Sequence, residues 1–493
     1  MTTSTVINPG FEESDNPLSP SGWTTWSPDG SESAATIELG GHAGAYRLTH
    51  SSAQAYRVST SQILTGLVEG WYTLRAWVRS SGGQQAAHIG LKDYGGPEQK
   101  AYLPVTAADQ WIQIVVSAYV SNGQCTIELY SDANADNWAH FDDIEFESDR
   151  AALAILGVDV SSLKKSEDKG GIYQDENGVS GDALQILKDH GVNYIRLRVW
   201  VNPADGYHNQ ARVLPMARRV KDLGLKLLVD FHYSDAWADP GKQFKPAAWN
   251  DYSFAQLAQA VYDHTYEVCH ALRARGTPAD MVQVGNEINN GLLWPDGKTP
   301  QWDNLAALLK SGCEAVKACQ RSTVIMLHLA EGGDNAGTRD WFDHVMAREV
   351  QFDLIGLSHY TYWHGSLADL QYNLNDIAAR YQKDVVIAET AYPFTLAEAD
   401  SQQNVVHSAS QLTRGYATTE AGQAAMLRDT MTVVRAVPAG RGLGIFYWEP
   451  TWTAVRGNGW DPADPDSGNE WENQALFNFD HRPTVALNEF KTP

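Results

Sequence analysis

The sequence predicts an α/β fold: a (β/α)8 TIM barrel over residues 151–493, preceded by an all-β jelly-roll sandwich over residues 1–150. Three observations carry this reading. The hydrophobic pattern changes character near residue 150. Beyond it, eight short apolar runs alternate with helix-period stretches. The length, 493 residues, suits one barrel of about 250 residues with insertions plus a smaller module.

Before residue 150, alternating segments at 45–48, 71–78, 111–120, 125–130 and 138–146 are separated by Gly, Ser, Asn and Asp clusters. Period-two patterning with closely spaced turn residues and no helical stretch reads as antiparallel strands. After residue 150 the apolar runs fall at 154–160, 194–199, 225–231, 281–284, 323–327, 354–357, 385–388 and 443–448. Helical periodicity marks 181–190, 213–223, 254–275, 302–318, 367–381 and 419–436. Near-continuously apolar strands joined by helices describe a parallel sheet buried on both faces. Neither G-x-G-x-x-G after the first strand nor G-x-x-x-x-G-K-[ST] is present, which argues against an open nucleotide-binding sheet.

The charge balance is 37 basic against 60 acidic residues, a net of −23. That field repels phosphate, so no nucleic-acid or anionic-membrane partner is expected. No apolar run reaches the roughly 20 residues a membrane span requires. The N-terminus, MTTSTVINPGFEE, shows no basic region followed by an apolar stretch, so no signal peptide is expected in this chain. Cys125, Cys269, Cys313 and Cys319 are few and scattered, and they read as buried small hydrophobes rather than a disulfide framework. The conspicuous entries are 17 Trp and 21 Tyr, aromatic mass that serves either cores or flat surfaces for stacking on sugars.

In a barrel, chemistry collects at the C-terminal strand ends. Polar residues gather there: Asp159 on the first strand, Arg196 and Arg198 on the second, Asp230 and His232 on the third, Asn286 and Glu287 on the fourth. His328, Ser358-His359-Tyr360, Glu389 and Trp448-Glu449 end the remaining strands. Glu287 and Glu389 follow apolar residues on strands that face each other across the barrel mouth. Glycoside hydrolysis needs such a pair, one acid protonated and one ionised. Two separate rim ion pairs are the alternative for these glutamates, and for Asp159 and Arg198.

Seven motifs then narrow the choice: GVDVSSL at 157–163, GVNYIRLRVWVNP at 191–203, DFHYSDAWADP at 230–240, QVGNEIN at 283–289, IAETAYP at 387–393, YWEP at 447–450 and WENQALF at 471–477. In this order the chain resembles glycoside hydrolase family 53, the arabinogalactan endo-β-1,4-galactanases. The resemblance implies a retaining hydrolase with Glu287 as acid/base and Glu389 as nucleophile, with no cofactor in catalysis. It implies that Asn286 meets the sugar 2-hydroxyl and that Arg196 holds Glu389 ionised. Asp159, His232, His359 and Tyr360 are further candidates for orienting acids or contacting hydroxyls. Trp448 is a candidate platform under the reacting sugar, with Trp237, Trp363 and Trp452 in neighbouring loops; Trp200 and Trp341 read as core.

Bacterial members of that family often hold a structural calcium between the last two long loops. Here WDPADPDSG at 460–468 is acidic, but ADSQQN at 399–404 lacks a clear ligand run, leaving Asp400, Asn404, Asp466 and Ser467 as tentative ligands. In the first module, NPGFE at 8–12 and FDDI at 141–144 resemble carbohydrate-binding β-sandwich modules that share a calcium between first and last strands. Glu12 and Asp142 are the implied ligands. Trp23, Trp26 and Trp138 are candidate sugar contacts, while Trp71 and Trp77 read as core. The expectation is a secreted or cell-envelope monomer, in mature or recombinant form, that cuts galactan side chains of pectin. Another barrel specificity, such as a mannanase, or a non-catalytic glycan-binding barrel are the alternatives.

Overall fold

A computed structural model describes residues 6–13, 17, 20–148, 153–413 and 415–491. The boundary expected after residue 150 lies outside the described residues.

The first unit is a sandwich of ten antiparallel strands. These are β1 (Thr24–Trp26), β2 (Ala35–Leu39), β3 (Tyr46–Ser51), β4 (Tyr56–Thr65), β5 (Gly70–Ser80), β6 (Ala86–Lys92), β7 (Gln99–Tyr102), β8 (Ile112–Val120), β9 (Gln124–Ala133) and β10 (Trp138–Glu147). They form two five-stranded sheets, in the orders β1-β4-β9-β6-β7 and β2-β3-β10-β5-β8. Strand alternation builds the core: Leu74, Ala76 and Val78 of β5 and Ala139 and Phe141 of β10 point inward and are fully buried. Trp71 and Trp77 occupy the opposite phase of β5 and are only half-buried. They stand on the outer face of their sheet, which corrects the core assignment. A single-residue phase decides the matter, because every side chain in a strand changes face with it.

The second unit is a closed barrel of β11 (Ile155–Asp159), β12 (Tyr194–Val199), β13 (Lys226–Phe231), β14 (Met281–Val284), β17 (Val324–Leu329), β18 (Leu354–Ser358), β19 (Asp384–Thr390) and β20 (Gly442–Trp448). A two-residue ladder, β15 (Gly291–Leu292) with β16 (Gly297–Lys298), lies in the loop after β14. The helices are α1 (Leu163–Asp168), α2 (Ala183–Asp189), α3 (Gln210–Asp222), α4 (Phe254–Ala274), α5 (Trp302–Cys319), α6 (Asn335–Met346), α7 (Leu367–Tyr381) and α8 (Glu420–Arg435). Helix α4 starts at a reciprocal capping box between Ser253 and Gln256. Helix α6 was not apparent in the sequence, because its first turn, Asn335-Ala336-Gly337-Thr338, holds weak helix formers. It is started by the Asp334 side chain, which accepts from Gly337 N, and held by buried Trp341, Phe342 and Val345. Trp200 and Trp341 are buried, as expected. All four cysteines are free and buried.

Register places the chemistry. Asp159 pairs with Arg196 on one side and Trp448 on the other, and Arg198 pairs with Asp230. Polar side chains two residues apart on β12 therefore point into the top of the same barrel interior.

Candidate active site

A cleft of about 380 Å³ opens at the C-terminal ends of the strands. Its floor is charged. Arg196, buried to 1% exposure, reaches Asp159, Asp230 and Glu389, each at 2.9 Å. Its guanidinium also donates to Asn286 Oδ1 at 2.8 Å and to Gln283 Oε1 at 3.1 Å. A buried cation with all three nitrogens engaged is a rigid strut, and removing it would strand buried carboxylates.

Glu287 and Glu389 approach across this strut, with a carboxylate oxygen of one within 4.8 Å of a carboxylate oxygen of the other. Their surroundings differ. Glu389 Oε1 meets Arg196, and its Oε2 accepts from the Tyr360 hydroxyl at 3.0 Å. Burial pushes its carboxyl up to about 7, with Arg196 pulling in the opposite direction. Arg196 therefore restrains Glu389 as expected, but desolvation outweighs it. Burial, reinforced by the charge of Glu389, holds Glu287 well above the ordinary carboxyl range. Glu287 Oε1 accepts from Ser358 Oγ at 2.6 Å. When one proton is shared by the pair, it resides on Glu287.

The backbone turns sharply to present Glu287. Gly285 has φ +86° and Glu287 itself φ +48°. A Cβ on Gly285 would meet Ile288 Cγ2 at 2.8 Å, so glycine is required there both for its dihedral and for space. Asn286, beside it, donates from Nδ2 to Ala238 O at 2.9 Å. His232 Nδ1 accepts from Trp200 Nε1 and Ala238 N, both at 3.2 Å, leaving its Nε2–H to donate to Asp230 at 3.0 Å.

Aromatic rings wall the cleft. Trp237, Trp363, Trp448 and Trp452 line it as expected, joined by Trp460 and Trp471. Trp448 stands edge-on to Trp471 at 4.6 Å, and Arg198 lies over Trp237 at 4.1 Å. Trp363 is half-exposed at 51%. Tyr360 also lines the cleft, but His359 does not. Ser358 and Tyr360 meet the two glutamates, and His359, one residue out of phase, is fully buried with no hydrogen-bond partner for either ring nitrogen. Its expected contact with substrate is thus corrected by strand alternation. Asp230, Gln283, His328 and Ser358 complete the network. Their only signal in the sequence was their place at strand ends.

Of the sandwich tryptophans, Trp26 is 58% exposed on β1 and Trp138 is half-buried on β10. Trp23 is buried in the core at 5.3 Å from Phe11, its indole N–H on Asn8 O, so it offers no face to a sugar. Glu12 and Asp142 lie together: a Cβ on Gly10 would sit 3.7 Å from Asp142 Oδ1, 3.5 Å from Asp143 Oδ1 and 3.8 Å from Glu12 Cγ. Burial, with Asp143 and Glu12 adding repulsion, pushes Asp142 up to about 6. These oxygens already accept from backbone, Asp142 from His42 N and Asp143 N and Glu12 from Tyr46 N, so what suits a calcium ion here is the convergence of three carboxylates, whose remaining lone pairs are free to ligate. The barrel candidates do not fit. Asp466 faces Arg456 at 3.6 Å in solvent, Ser467 Oγ bonds its own loop, and both oxygens of Asp400 accept from backbone N–H groups. Asn404 Nδ2 donates to Ala397 O. The side chains satisfy local turns, Arg456 and, for Asp400, the backbone of Asn469 in the neighbouring loop, instead of converging on one ion.

The pattern of glycosyl hydrolase family 53 matches residues 155–490. A protein of Niallia circulans of uncharacterized role is 43% identical over 345 residues, which is 68% of this chain and 93% of that one. The probable arabinogalactan endo-β-1,4-galactanase A of Aspergillus terreus is 39% identical over 323 residues, 63% of this chain and 89% of its own length. Among solved structures, the GH53 catalytic domain of Ignisphaera aggregans is 40% identical with a TM-score of 0.67, covering 69% of this chain and 96% of that chain. The chain belongs to glycosyl hydrolase family 53.

Proposed function

We propose that this chain is an endo-acting, retaining β-1,4-galactanase that cuts internal galactosidic bonds in the galactan and arabinogalactan side chains of pectin. One observation carries the chemistry: two buried glutamates with carboxylate oxygens within 4.8 Å and unlike partners. Retaining hydrolases hold their carboxyl groups about 5–5.5 Å apart, whereas inverting ones leave about 6.5–9.5 Å for a water.

In the first step ionised Glu389 attacks the anomeric carbon, forming a glycosyl ester as the glycosidic C–O bond breaks. Glu287 gives its proton to the departing oxygen. In the second step Glu287, now a carboxylate, takes a proton from water, whose oxygen attacks the same carbon and releases Glu389. The Tyr360 hydroxyl and Arg196 orient the nucleophile, and Asn286 stands beside the acid where a sugar 2-hydroxyl would lie. Trp448, Trp237 and Trp363 supply flat surfaces for sugar rings. Protein groups carry every proton and the nucleophile, so catalysis calls for no cofactor.

Two modules divide the work, a sugar-binding sandwich at 1–150 and the catalytic barrel at 151–493. A calcium held by Glu12 and Asp142 would tie the first and last segments of the sandwich. A polymer of this size does not cross a membrane, so the enzyme acts outside the cytoplasm, in the secreted or cell-envelope compartment. Reducing-sugar release from potato galactan tests the reading. Wild type is expected to release product and Glu389→Ala to fall by orders of magnitude; equal rates, or none from wild type, would refute it.

A further inference from the structure

The outer face of the sheet β2-β3-β10-β5-β8 carries more polar and aromatic structure than packing requires. Its register aligns Thr36, Thr49, His140 and Arg79 in one row across four strands. Arg79 donates from Nε to His140 Nδ1 at 2.9 Å and lies over the Trp111 ring at 4.6 Å. Trp138 stacks on His140 at 4.4 Å and 20°. Burial, with nearby arginines, pushes His140 down to about 3, so its ring is neutral and accepts from Arg79 across the whole working range. Of these groups Thr49, Arg79, Trp138 and His140 line a groove of about 550 Å³, and Trp111 backs Arg79 from outside it.

None of this serves the core, which lies on the opposite phase of the same strands. Within the groove the charges balance: Arg47 and Arg79 against Glu38 and Asp136. Arg47 is already paired with Glu38 at 3.2 Å, while Arg79 has no carboxylate within ion-pair distance among the described residues. A balanced groove gives a polyanion little net attraction. Half-buried indoles beside fixed donors and acceptors suit a ligand with an apolar ring face and many hydroxyls.

We infer that this groove is a second, non-catalytic sugar site, in which Trp138 offers its ring face to a neutral pyranoside chain and Arg79, packed on Trp111 and positioned by His140, hydrogen-bonds its hydroxyls. The choice of β-1,4-galactan as that chain rests on the proposed hydrolase reading. It places the module's sugar contact on the sheet face at Trp138 and Arg79, and leaves the buried Trp23 out of it.

The test uses the full chain carrying Glu389→Gln, titrated calorimetrically with β-1,4-galactohexaose. Two equivalents are expected to bind. Adding Arg79→Ala or Trp138→Ala should reduce this to one, adding Trp448→Ala should remove the other, and Trp138→Phe should keep both. Near-UV circular dichroism checks that each variant folds. A stoichiometry unaltered by both Arg79→Ala and Trp138→Ala would overturn the inference, as would a single equivalent that Trp448→Ala abolishes. A single equivalent lost with Arg79→Ala but kept with Trp448→Ala would support this site while contradicting the barrel's specificity. Binding of trigalacturonate in an Arg79-dependent manner, with no galactohexaose bound there, would overturn the assignment of a neutral ligand.

Discussion

Ser358 gives the account a sensitive test, because it touches the acid/base and no other reacting group. Its hydroxyl donates to Glu287 Oε1 at 2.6 Å, and His328 Nε2 lies 2.8 Å from the Ser358 Oγ itself. Burial pushes Glu287 far up, and this hydrogen bond pulls it down by favouring the ionised form. Ser358→Ala removes that pull. A hydrogen bond to a charged group is worth about 1.5–3 kcal/mol, and about 1.4 kcal/mol corresponds to one pH unit. The acid must be protonated to release the leaving sugar, so activity is lost as pH rises through its pKa. Raising that pKa should therefore move the alkaline limb of kcat/KM up by about 1–2 pH units. Initial rates on galactan across the neutral and alkaline range measure it, and the acid limb, set by Glu389, serves as internal reference. An alkaline limb that stays in place or moves down would refute the role given to Glu287. The same change strands the His328 ring N–H, so thermal unfolding should show a loss of about 1–3 kcal/mol.

Arg196→Gln should do the opposite kind of damage. It leaves three buried carboxylates without their cation, costing about 3–5 kcal/mol of stability. It also removes the cationic pull on Glu389, so the rising acid limb should shift to higher pH; a shift to lower pH would contradict the strut. Chelation by EGTA should lower the melting temperature through the sandwich if Glu12 and Asp142 hold calcium, and calcium at about 100 times its Kd should restore about 2.7 kcal/mol. A melting temperature indifferent to chelator and calcium would retire that site.

Much of this was legible because barrel strands advertise themselves. Most are nearly all apolar and then end abruptly in a polar residue, so Glu287 and Glu389 stand out from the break in pattern, while their roles come from the resemblance; Arg196 lies inside its strand and stands out as a charge in an apolar run. What stayed hidden depended on phase and on tertiary support. His359 sits between Ser358 and Tyr360 in sequence, yet only its two neighbours reach the glutamates. Trp23 and Trp77 exchanged their expected places for the same reason: one falls on the inner phase of the sandwich, the other on the outer. Helix α6 has poor intrinsic propensity in its first turn and is sustained by the burial of Trp341 and Phe342, which no local window reveals. The barrel-loop acids stand out by composition, but Asp400 is taken up by the backbone N–H groups of Gln402 and Asn469 and Asp466 by Arg456.

The central claim is that Glu389 forms a covalent bond to the sugar. Brief reaction with a 2-deoxy-2-fluoro-β-galactobiosyl fluoride, followed by proteolysis and mass spectrometry, tests it directly, because the fluorine slows release of the ester more than it blocks attack. The account predicts one glycosyl adduct, on the peptide carrying Glu389 and absent from Glu389→Gln. An adduct on Glu287, or no adduct together with a product of inverted anomeric configuration, would contradict it.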